Sequence, residues 1–137
     1  MNDWSAQIKR LSEKGKHDIK QLCRTVKVEI FSGIVSDTRV GNPSAWKTPA
    51  PKGYVGGRLR GNWQIQETTK PQKEIARLDP SGAQVNAEIQ AVSSGDGVTY
   101  FVNHLPYAKK WEEEDAMVGR NVARVRQIVK KLAGEIK

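Results

Sequence analysis

Cysteine and histidine are almost missing from this chain: one Cys and two His in 137 residues. A protein metal site needs three or four Cys, His or carboxylate ligands at suitable spacing. Cys23, His17 and His104 stand too far apart in sequence to supply one. Cys23 has no partner for an internal disulfide, which suits a reducing compartment. No apolar run approaches the ~20 residues of a membrane span, so no membrane association is expected. The opening residues, MNDWSAQIKRLSEKGK, show neither an apolar signal core nor a cleavage site, and export by that route is not expected. Nucleophilic catalysis requires a nucleophile beside a base. His104 is the one reasonable base, and it lies in a proline-bearing turn with no catalytic signature around it. The glycine-rich stretch GYVGGRLRG is not a P-loop, which needs G-x-x-x-x-G-K-[ST]. It also lacks the ordered glycines of a dinucleotide fingerprint. The expectation is a non-enzyme with no catalytic residues, no cofactor and no metal.

What the chain does have is positive charge. The formal net charge is +8 and the isoelectric point lies near 9.7. The charge is distributed in blocks. Residues 1–40 carry 8 basic and 5 acidic side chains, and residues 41–70 carry 5 and 1. Residues 71–115 reverse the sign with 4 and 8, and residues 116–137 carry 6 and 1. A basic excess suits a polyanion, and blocks of alternating sign also suit contact between copies of one protein. Arg58 and Arg60 beside Trp63 have the ingredients for phosphate contact and stacking. Arg120, Arg124, Arg126, Lys130 and Lys131 crowd the last segment. No helix-turn-helix, zinc-finger or RNP motif accompanies them. A small basic nucleic-acid-binding protein is therefore the alternative reading.

At 137 residues one domain, 1–137, is expected. Trp4, Ile8, Leu11, Ile19, Leu22, Val26, Ile30 and Ile34 recur at steps of three or four, the face of a long N-terminal helix with Gly15 at the missing beat. Cys23 lies beside that stripe and reads as a small buried hydrophobe. The pattern collapses from Arg39 to Gly61, where three prolines and five glycines accumulate. Residues 41–61 read as an extended arm, anchored by Trp46 and Tyr54, which are costly to leave in water. Residues 41–57 are expected to be mobile in the free protein and to order on assembly. NWQIQETT alternates as a strand with Trp63 and Ile65 inward. Asp79 followed by Pro80 reads as a helix cap. Residues 83–91 alternate like a strand, yet Val85, Ile89 and Val92 also fit a helix face, and the cap with the Ala, Gln and Glu content favours the helix. SSGDG is a turn and VTYFV a strand. From Tyr107 the chain turns helical, and Val118, Val122, Val125, Val129, Leu132 and Ile136 mark an amphipathic C-terminal helix. The fold class is α+β: long N- and C-terminal helices packed on a small antiparallel sheet, with a Pro/Gly-rich arm.

Two segments carry a family resemblance. Thr48-Pro49 precede Gly57-Arg58-Leu59-Arg60-Gly61-Asn62-Trp63-Gln64, after a long helix. Val102-Asn103-His104-Leu105-Pro106-Tyr107-Ala108 then leads to Glu112, and Ala116-Met117-Val118-Gly119-Arg120 opens the last helix. In this order and context they resemble the tail-completion proteins of long-tailed bacteriophages, the minor tail protein Z-like and neck-protein group. That family carries TP…TGRLRxNW, then xNNLPYAxxxE, then A-G-M-V-R. Departures exist: the compact TPVDTG is stretched to TPAPKGYVGG, the second Asn is His104, E-x-G is Glu112-Glu113-Glu114, and the QAP approach is missing. These bear on loops and subunit contacts.

The resemblance implies a structural virion protein of the neck and tail, made in the host cytoplasm and without catalytic activity. It would form a homo-oligomeric ring, a hexamer favoured, at the head–tail junction. The head–tail connector and the tail terminator or tail tube would be its partners, with non-specific contact to DNA in the channel. Trp46, Tyr54, Arg58, Arg60, Glu112 and Glu113 are the expected interface residues. Gly57, Asn62, Trp63, Asn103, Leu105, Pro106 and Tyr107 are expected to hold the motifs in shape. Arg58 and Arg60 are expected to look outward, and at least one of them to meet a carboxylate of the 112–115 run, within a subunit or across to the next.

Overall fold

The computed structural model describes residues 6, 10, 19–40, 56–93 and 97–135, with side chains to 131. Trp46 and Tyr54, most of the arm, Gly15, His17 and the first part of the long helix lie outside them. The described elements run α1 (Ile19–Asp37), α2 (Arg58–Gly61), β1 (Trp63–Glu67), α3 (Ala83–Val92), β2 (Thr99–Asn103), α4 (Ala108–Asp115) and α5 (Met117–Glu135). The α+β architecture is as expected, with helices around a two-stranded antiparallel sheet.

The two strands pair with Trp63 opposite Asn103 and Ile65 opposite Phe101. Alternation puts Trp63, Ile65 and Phe101 on one face. That face meets α1 and α3. Phe101 stacks between Phe31 and Trp63, with ring centroids 4.6 and 4.9 Å away. Ile34, Val35, Val85, Ile89 and Met117 complete the core. The α3 prediction is borne out, but its cap is shifted. Gly82 occupies the capping position in a left-handed conformation. The carboxylate of buried Asp79 still reaches forward to accept the Val85 N–H at 2.9 Å. Asp79 therefore serves the helix end from outside the capping position, satisfying a donor that would otherwise have no partner.

Helices α1 and α5 run antiparallel, with Asp37 beside Arg120 and Glu29 beside Arg124. The buried line of α5 is Met117, Asn121 and Val125, rotated from the valine stripe of the sequence. Asn121 causes the rotation. Its amide donates to Asp37 at 2.8 Å and to the Met117 carbonyl at 2.7 Å, so a polar residue is satisfied inside the seam. Gly33 makes room for it: a Cβ there would overlap the Asn121 side chain. Val129 is left 37% exposed. Cys23 is half-buried on α1 rather than buried.

Candidate functional site

The two resemblance-bearing segments meet. Residues 56–61, expected as the end of the arm, are part of the packed body. Gly56 and Gly57 are buried, and Arg58–Gly61 forms one short helical turn rather than the start of a strand. Gly57 sits at φ 84, where only glycine is unstrained. A Cβ would also overlap the backbone of Pro80 and Asp79. Its carbonyl accepts the N–H groups of Gly61 and Asp79 at 2.8 and 3.0 Å, tying the α2 turn to the segment before α3.

Asn62 is fully buried and uses both ends of its amide. Its Nδ2 donates to the Arg58 carbonyl at 2.8 Å, and its Oδ1 accepts the Ile75 N–H at 2.9 Å. Trp63 is 4% exposed, and its indole N–H donates to the Thr38 hydroxyl at 2.8 Å. That hydroxyl donates in turn to the Ile34 carbonyl at 2.6 Å. Arg77 closes the same region, donating to the carbonyls of Gly61 and Trp63 and to Glu88.

Across the sheet, Asn103 donates from Nδ2 to the Leu59 carbonyl at 2.8 Å and accepts the Leu105 N–H at 3.2 Å. Leu59, Leu105 and Ala108 form one small core, with Tyr107 and Trp111 against it. The NHLPY stretch is the tight strand-to-helix corner expected from Pro106, closed by the Ala108 N–H on the Leu105 carbonyl at 3.0 Å. Tyr107 packs as expected, but among the described residues its hydroxyl has no hydrogen-bond partner. His104 donates from Nε2 to the Pro71 carbonyl at 2.6 Å, which fixes the ring nitrogen that carries the proton. It pins the 70–77 segment rather than standing free as a base.

The arginines do not act alike. Arg58 looks outward and lies 3.6 Å from Glu74. Arg60 does not look outward. Its guanidinium donates to the carbonyls of Pro80 at 2.6 Å, Thr38 at 2.7 Å and Ser36 at 3.4 Å. The Ser36 and Thr38 carbonyls lie at the end of α1, where carbonyls without helical partners favour a cation, and the Pro80 carbonyl ties the same guanidinium to the segment before α3. Within the chain, neither arginine meets the 112–115 run. Arg39 does, with Nε 2.6 Å from the Asp115 carboxylate and Nη2 4.0 Å from Glu114. The Arg39 guanidinium also lies 4.2 Å from the centre of the Trp111 ring. The hydrogen bond from Arg39 holds the Asp115 carboxyl below the usual carboxylate range, and the same bond raises the arginine. Arg39 was not singled out by the sequence, and it fastens the chain just after α1 to α4.

Glu112 has a local task. Its carboxylate accepts the N–H groups of Val118 and Gly119 at 2.8 and 3.1 Å, capping α5 from the preceding helix. Ala116 makes the bend between the helices at φ 49. Glu113 is exposed.

Two concave features flank this scaffold. One, of about 340 Å³, lies between β2 and the α4–α5 bend, with Phe101 and Met117 in its wall and Lys70 and Lys109 at its margin. The other, of about 490 Å³, is an apolar groove between α1 and α5, lined by Val26, Ile30, Val122 and Val129 and edged by Arg126 and Lys130. Among the described residues no group of three His, Cys, Asp or Glu side chains is placed to hold a metal. No described helix is long and apolar enough to cross a membrane. Comparison with protein-family profiles, with curated proteins and with solved structures returned no match to this chain.

Proposed function

We propose that this protein is a structural component of a long-tailed phage particle, completing the tail end and helping to join it to the head connector within a ring around the DNA channel. One observation carries the reading: the two segments that resemble the tail-completion family are halves of one scaffold. Trp63 pairs opposite Asn103 in the sheet, and the Asn103 side chain reaches back to Leu59 at 2.8 Å. Segments 40 residues apart are thus used as a joined frame of backbone hydrogen bonds and the part-buried Asn103 amide. That is what a rigid assembly unit needs, because a ring subunit must present fixed, complementary surfaces on its two sides. The Arg39–Trp111–Asp115 contact supports the same reading, since it fixes Arg39, two residues before the segment expected as an arm, to α4.

Labelling purified particles with an antibody to this protein tests the proposal. The expected result is label at the head–tail junction or the adjoining tail end. Label spread along the tail shaft, or none on intact particles, would overturn it.

A further inference from the structure

The apolar groove between α1 and α5, about 490 Å³, has no occupant among the described residues, and Val129 is left exposed in it. Ten residues of α1 precede Glu29 and eleven of α5 follow its partner Arg124, so the two antiparallel helices finish nearly level. The chain leading into α1 carries Trp4, Ile8 and Leu11. Continued straight from α1, that stripe would stand beyond the described end of α5, with three large apolar side chains in water. Folded back, it finds a match. Residues 15–18 read Gly-Lys-His-Asp, and Gly and Asp are the residue types that end one helix and open the next. Four residues are enough to join the two helices of a hairpin. Positions nearly equally far from that turn then face each other: Leu11 and Leu22, Ile8 and Val26, Trp4 and Ile30. Val26 and Ile30 line the groove, and Leu22 packs in the same cluster around Val125. Ala6 and Arg10 are helical and exposed. On a helix of 3.6 residues per turn they fall on the side opposite Trp4, Ile8 and Leu11.

We infer that residues 3–14 form a helix that turns back at Gly15 and lies, apolar face down, in the α1–α5 groove of its own chain. Val26 and Ile30 form one wall for it, and Val122, Val125 and Val129 the other. Arg126 and Lys130 stay at the rim, where their charged ends keep their water. The long N-terminal helix read from the sequence is then two antiparallel helices, with Gly15 at the break and not merely at a missing beat. The groove is closed within one copy, and any partner that uses it must first displace the segment. The inference goes beyond the neck-protein reading and does not depend on it.

Distances between two nitroxide labels, measured by pulsed electron paramagnetic resonance on the full-length chain, test this. The labels go on Ala6→Cys and Ser36→Cys, both exposed helical positions, in a Cys23→Ser background. An unbroken helix would hold them about 45 Å apart at about 1.5 Å per residue. Folded back, with helix axes about 8–10 Å apart, they should lie roughly 20–30 Å apart. The expected result is a dominant short distance that persists when doubly labelled chains are diluted into unlabelled protein. Ile8→Asp should abolish it from the segment's side, and Val129→Asp from the side of the groove. A peak near 45 Å, or a broad distribution without the short distance, would overturn the inference. So would a short distance that survives both aspartate variants, because the segment would then rest elsewhere. A short distance that appears on mixing singly labelled chains would also overturn it, because the occupant would be a second copy. None of these outcomes bears on whether the protein sits at the head–tail junction, which the labelling of particles decides separately.

Discussion

A single hydroxyl shows how closely the core is specified. Thr38 accepts the indole N–H of Trp63 and donates to Ile34, and it is 1% exposed. Thr38→Val keeps the shape but leaves a buried indole donor without an acceptor. It should destabilise the fold by about 1–3 kcal/mol, read by urea denaturation, while Thr38→Ser should recover most of the loss. Asp115 gives a pH signature. Its folded pKa is lowered by Arg39, so its ionised form stabilises the fold above the ordinary value of 3.8. That contribution disappears as pH falls through the depressed folded value. Asp115→Asn should therefore lower the melting temperature at pH 6, and the difference from the unaltered chain should shrink toward zero near pH 2. A constant difference across that range would contradict the assignment. Neither Thr38 nor Arg39 was legible in the sequence. Their partners lie 25 and 76 residues away, and no local pattern marks such a pair. Trp63 was legible from the alternation of its strand, whereas Asn62 and Leu105 were singled out only through the motifs that carry the resemblance; all three are buried. Arg60 was misread because an arginine satisfied by main-chain carbonyls looks the same in sequence as one facing water.

At the scale of elements, β1 and the last helix were legible from periodicity, β2 from its β-branched and aromatic residues, and α3 from its cap and composition in spite of its alternation. The short turn α2 was missed: four residues, two of them Arg and one Gly, carry no helical period. Its stability comes from Gly57 and from packing of Leu59, not from propensity. Gly57→Ala combines a disfavoured positive φ with backbone overlap, so it should cost more than the ~1–3 kcal/mol of a strained residue alone. Denaturation, or loss of soluble expression, would show it. The α4–α5 bend has a compensated design. Ala116 adopts a left-handed conformation that favours glycine, and Glu112 offsets the strain by capping α5. Glu112→Ala should lose about 1 kcal/mol of stability, and Glu112→Gln appreciably less, since the amide oxygen can still accept one N–H. Equal losses would show that the carboxylate's charge near the helix start, rather than its geometry, is what matters. The sequence showed a run of four acids here. It could not show that the first caps a helix, the last pairs with Arg39, and only the middle of the run faces outward.

For the whole molecule, charges of opposite blocks meet inside the chain among the described residues. Acids of 71–115 meet arginines from the two preceding blocks, and Arg120 and Arg124 of the last block reach back to α1. Among the described residues, these charges of the blocks are used in closing one copy. Exposed surface pairs of this kind contribute only about 0–1 kcal/mol each, and they leave the chain with a cationic exterior. We propose that this exterior belongs to a particle component that joins head to tail. Electron microscopy of particles produced without the protein tests it most directly. Full heads and separate tails, or tails with defective ends, are expected in place of joined particles. Normally joined, infectious particles would contradict it.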